Sequence, residues 1–127
     1  MVFSSCGHHE KELESRIIHP DSIAINYFTG DGKMDSVTSV AIVHDSTAIN
    51  QLVSEIVSSK RVTKSDCGYD GSLHFFKRDT VVQDIPFRMN NPSCMQLVFR
   101  ENQNPVALLL SEKAKELLLN MQQKNIR

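Results

Sequence analysis

The chain has 127 residues, and its 14 lysines and arginines nearly balance 15 aspartates and glutamates to a formal charge of -1. A chain of this length makes one domain with a real core, and so neutral a balance supplies no basic face for the phosphates of nucleic acid. No apolar run reaches the roughly 18 residues that a bilayer span needs, and the chain carries neither internal repeats nor low-complexity blocks.

The chain begins Met1, Val2, Phe3, Ser4, Ser5, Cys6, Gly7. This stretch resembles the end of the signal peptide of bacterial lipoproteins, where an apolar and small-residue box immediately precedes a cysteine that is lipidated and becomes the new first residue. Phe3 stands where leucine is usual, and the charged and apolar regions of a complete signal are missing. The resemblance covers about seven residues. It implies a cell-envelope protein, on the periplasmic or outer side, held to the membrane by a lipid at Cys6. The alternative is an ordinary chain terminus on a cytoplasmic protein. Residues 1–20 then read as a flexible tether and residues 21–127 as a single domain. His8, His9 and Glu10 are the close cluster of metal-ligand types, but a tether offers no second shell to fix them, so no metal is expected.

Residues 10–18 have the makings of a short helix, stopped by His19 and Pro20, with no apolar face. Residues 21–28 alternate as a strand, with Ile23, Ile25 and Tyr27 on one side. Thr29, Gly30, Asp31, Gly32 and Lys33 make a turn into a partner strand over residues 36–44, giving a hairpin. Asp31, Gly32 and Lys33 lack the oxygen ligands of a calcium loop and the spacing of a phosphate loop. Asp45 or Ser46 caps a helix in which Ile49, Leu52, Val53, Ile56 and Val57 follow the helical period. Lys60, Arg61 and Lys64 read as a solvated connection.

From Cys67 to Leu110 the period is two. Leu73 and Phe75 share a face opposite His74 and Phe76. Arg78, Asp79 and Thr80 turn the chain into a second strand, which Pro86 interrupts because it cannot donate to a ladder. That position belongs at a bulge, at an edge or where the ladder has ended. Asn90, Asn91, Pro92 and Ser93 form the next turn, and a third strand sets Leu97 and Phe99 against Gln96, Val98 and Arg100. After a polar reversal at 101–104, a fourth strand is apolar on both faces, which calls for cover on both sides. Ser111 caps a second amphipathic helix with a stripe of Ala114, Leu117, Leu118 and Met121.

With Cys6 set apart, Cys67 and Cys94 are an even pair at strand starts on the same end of the meander. One intervening strand separates those starts by roughly 9 to 10 Å, which a folded-back loop at 68–71 would close to the 7 Å or so that a disulfide allows. The other reading is two reduced, partly buried thiols. The expected fold class is α+β, an antiparallel sheet of order β-β-α-β-β-β-β-α packed on two amphipathic helices. Strand order across the two sheet segments and oligomeric state stay open.

The chemistry is sparse. His44 and His74 read as lone strand histidines, Asp66, Asp70, Asp79 and Asp84 as turn and loop carboxylates, and no nucleophile elbow is present. The function expected is therefore a non-catalytic binding or interaction module without cofactor, presenting its open sheet face or loops to an unknown protein or small molecule. The alternative is a soluble inhibitor or toxin-neutralising partner.

Overall fold

The structure, a computed structural model, describes residues 9–28 and 36–124. The proposed lipidation residue Cys6, His8 and the turn at 29–33 lie outside the described residues.

The described chain runs α1 (Lys11–Ile17), β1 (Ser22–Phe28), β2 (Val37–Val43), α2 (Ser46–Val57), β3 (Arg61–Val62), β4 (Gly71–Lys77), β5 (Thr80–Arg88), β6 (Gln96–Glu101), β7 (Asn104–Leu109) and α3 (Glu112–Lys124). The strands make one antiparallel seven-stranded sheet of order β2-β1-β4-β5-β6-β7-β3. This is the α+β architecture read from the sequence, with the hairpin and the meander joined by the β1 to β4 pairing.

The helices share one face of the sheet. Ile49, Leu52 and Ile56 of α2 and Ala114 and Leu118 of α3 bury against Ile23, Ile25, Leu73, Phe75, Phe87, Leu97 and Leu108 in a single cluster. Each of the leucine, isoleucine and phenylalanine side chains contributes about 1.5 to 3 kcal/mol of transfer free energy. Both expected caps are present: Asp45 accepts from the Thr47 N–H at 3.0 Å and Ser111 Oγ from the Ala114 N–H at 3.0 Å.

α1 corrects the expectation of a helix without an apolar face. Leu13 and Ile17, four residues apart and so on one side of the helix, are fully buried in the core. Residues 11–17, read as part of the tether, therefore pack on the domain. Arg16 Nε also donates to Gln83 Oε1 of β5 at 2.8 Å.

The second cover that β7 requires is a strap. Residues 63–70 leave β3 at one edge and enter β4, passing β7, β6 and β5. Four inter-strand steps are about 19 Å; eight extended residues reach about 26 to 29 Å, so the strap makes the crossing with length to spare. It lies on the face opposite the helices. Gln96, Val98 and Ala107 face away from the helical layer, yet they are only 2%, 6% and 3% exposed. The cover stops short of Leu109, which is 37% exposed.

Candidate functional site

Pro86 shapes the open face. β5 pairs with β6 only at Phe87 with Leu97 and Arg88 with Gln96, so the ladder ends where proline removes a donor. Beyond it the two strands separate, and a hollow of about 750 Å³ opens between them. Its floor is apolar, with Pro86 and Val98, and its rim carries Lys64 and Tyr69 from the strap, Asp84 from β5 and Arg100 from β6. The Lys64 ammonium is pushed up from its ordinary value chiefly by its hydrogen bond to Asp66, 2.9 Å away.

The strap is pinned at three places. Gln96 binds the backbone of Ser65 twice. The sulfurs of Cys67 and Cys94 lie at disulfide distance, with Cα atoms 6.7 Å apart, the pairing proposed from the sequence. Asp70, 2% exposed, accepts from Arg88 Nη1 at 2.7 Å and from the Met89 and Asn90 N–H groups at 2.7 and 2.8 Å. This last anchor corrects the reading of Asp70 as an ordinary loop carboxylate.

Beside the hollow lies a polar chain that spans β1, β4 and β5. Ser72 and His74, two apart on β4, point to the open face, and their ladder partners across β5 are Pro86 and Asp84. His74 Nδ1 lies 2.6 Å from Asp84 Oδ1, and His74 Nε2 lies 2.9 Å from Ser72 Oγ. Asn26, opposite Ser72 on β1, brings Nδ2 to 3.3 Å from the same Nε2. The carboxylate accepts only, so in the neutral imidazole the short contact puts the hydrogen on Nδ1 and leaves Nε2 as the acceptor for Ser72. The side chains of His74 and Asp84 are 26% and 64% exposed.

Sequence reasoning missed this chain because its members look ordinary one at a time. The available signal was Ser-x-His on a strand, which places both side chains on one face, followed by a tight hairpin that carries an aspartate back opposite the histidine. His44, considered alongside His74, is exposed just past β2. The basic group is neutralised as well as solvated, for Arg61 binds Glu10 through Nε at 2.8 Å and Nη2 at 2.9 Å and reaches Glu101 at 3.1 Å. His9 lies 2.7 Å from Glu14 Oε1, and no group of three or more histidine, cysteine or acidic residues able to hold a metal occurs among the described residues. No described helix is long and apolar enough to cross a membrane. No protein-family model, curated protein or solved structure matches this chain.

Proposed function

We propose that the chain is a binding module whose ligand seats in the hollow between β5 and β6. The observation that carries this reading is the hollow itself, where apolar Pro86 and Val98 lie beside Arg100, with Asp84 and the Asp66-paired Lys64 on the same rim. Such a lining suits a small molecule with an apolar body and an anionic group, since a few placed charges orient a ligand that apolar contact retains. The lipobox-like residues Ser4, Ser5 and Cys6 support a place in the bacterial envelope, with the lipid at Cys6 as the membrane anchor. A cysteine pair at bonding distance suits an oxidising compartment and supports the same placement.

Titration with 1-anilinonaphthalene-8-sulfonate, an aromatic anion, tests the hollow. One saturable site is expected, with amide shifts at residues 64–69, 81–86 and 98–105 and weaker binding in Arg100→Gln and Tyr69→Ala. Shifts confined to other surfaces would remove the hollow as the ligand site. Mass spectrometry of the protein from its native cell tests the anchor: an acylated Cys6 supports it, and an intact unmodified Met1 removes it in favour of a soluble inhibitor or interaction protein.

A further inference from the structure

We infer that Ser72, His74 and Asp84 form an acyl-transfer site that hydrolyses carboxylic esters. This rests on the hollow as the ligand seat and goes beyond binding. The connectivity has the required order, carboxylate to Nδ1 at 2.6 Å and Nε2 to hydroxyl at 2.9 Å. An imidazole held in that tautomer by a carboxylate takes the serine proton as the hydroxyl attacks, a relation defined by geometry and not by fold. The hollow is adjacent, since its lining residues Asp84 and Pro86 are the ladder partners of His74 and Ser72. Ser72 and His74 do not line the hollow, so an ester with an apolar acyl or aryl body seated there reaches them across Asp84 and Pro86.

The step balances within the site. Ser72 Oγ forms a bond to the ester carbonyl carbon while its proton moves to His74 Nε2, giving a tetrahedral oxyanion. The same protonation removes the lone pair to which Asn26 Nδ2 points at 3.3 Å, which frees the Asn26 amide as a hydrogen-bond donor on this face. The carbon–oxygen bond to the alcohol breaks, and the leaving alkoxide takes the proton from Nε2. Water then attacks the acyl-serine with its proton going to Nε2, and Ser72 leaves with that proton, releasing the acid. The Asp84 carboxylate is mostly in water, which screens its hold on the imidazolium, so the contribution of the site falls at the lower end of the range for general-base catalysis.

The test uses the full chain, 4-nitrophenyl acetate as substrate and an alkyl fluorophosphonate as label, whose phosphorus bonds to an activated serine with loss of fluoride. The expected result is a single adduct mapped to Ser72, absent from Ser72→Ala and from His74→Gln, with ester hydrolysis in Ser72→Ala about a hundredfold below that of the parent chain. Circular dichroism establishes that both variants are folded, which is expected because Ser72 and His74 are partly solvent-exposed. Hydrolysis unchanged in Ser72→Ala assigns the reaction to the imidazole or to solution chemistry and overturns the inference, as does an adduct absent from Ser72. If the aromatic sulfonate binds in the hollow while Ser72 stays unlabelled, the acyl-transfer site fails and the binding reading stands. If Ser72 is labelled but the sulfonate does not bind, the hollow fails as the ligand seat while the serine chemistry holds.

Discussion

Gln96 holds both backbone polar groups of Ser65: its Oε1 accepts from the Ser65 N–H at 3.1 Å and its Nε2 donates to the Ser65 carbonyl at 2.8 Å. A side chain here does what a neighbouring strand does elsewhere, giving the strap a ladder contact near its β3 end. Gln96→Leu keeps the bulk and removes both bonds. At a net 0.5 to 1.5 kcal/mol each, the expected loss is about 1 to 3 kcal/mol in urea unfolding. Faster amide exchange at Ser65 should accompany it, and unchanged exchange there would show that the bonds do not hold the strap.

Asp70 anchors the far end of the strap. Asp70→Asn leaves Arg88, 8% exposed, without its counter-charge, and uncompensated buried charge costs about 3 to 5 kcal/mol. Arg88→Met is expected to cost less. It leaves Asp70 its two backbone donors and removes a guanidinium whose Nε has no partner among the described residues. Equal losses in the two variants, measured by urea denaturation, would contradict this asymmetry.

The period-two reading placed Leu73, Phe75, Leu97, Phe99 and Leu108 correctly because one face of each strand meets a helical layer, and burial imposes that alternation. Pro86 was legible for the same kind of reason, since a missing N–H has a local consequence. The strap was read as a solvated connection followed by a folded-back loop, because backbone hydrogen bonds to Gln96 and Asp70 hold it instead of a patterned apolar face. Leu13 and Ile17 were overlooked because two apolar residues in a seven-residue helix make no visible period. The chain through Ser72, His74 and Asp84 depends on strand register. That register follows from the turn at Arg78 and Asp79, both at positive φ, and the irregularity at Phe75 and Phe76.

Gly71 is where the strap meets the sheet, and a Cβ there would collide with the Asn26 carbonyl oxygen and the Phe87 ring. Backbone cannot yield as a flexible side chain does, so Gly71→Ala is expected to destabilise by about 1 to 3 kcal/mol. A double variant that also shortens Phe87 to leucine should recover only part of this loss, since the carbonyl clash remains. Full recovery would place the whole strain on the ring.

Tyr27 is buried between the layers, edge-on to Phe87 with ring centroids 6.3 Å apart, and donates to the Leu118 carbonyl at 2.6 Å. Burial pushes its phenol well above the ordinary tyrosine range. An acid whose folded pKa is raised loses its proton first in the unfolded chain. The stability it supports is therefore complete below about pH 10 and declines as pH rises beyond that value. In a Tyr69→Phe background, where Tyr27 is the remaining tyrosine, absorbance at 295 nm should rise together with the loss of the far-ultraviolet dichroism. Ionisation near pH 10 in a chain that keeps its dichroism would contradict the buried environment.

Cys67 and Cys94 are 27 residues apart in sequence with Cα atoms 6.7 Å apart, inside the range a disulfide spans. Of the 3 cysteines in the chain, unreduced protein is expected to show one reactive thiol when Cys6 is unmodified and none when it is acylated. Closing a loop of this size stabilises by about 3 to 4 kcal/mol in the chain-entropy model, so reduction or the Cys67→Ser, Cys94→Ser double variant should lower the urea midpoint accordingly. The fold should survive, because Gln96 and Asp70 still hold the strap on either side of the lost bond. Faster exchange at residues 63–70 than in the sheet interior is the signature of that partial release. A thiol count that finds both Cys67 and Cys94 free in unreduced protein would reduce the pair to a contact and leave the polar anchors to hold the strap alone.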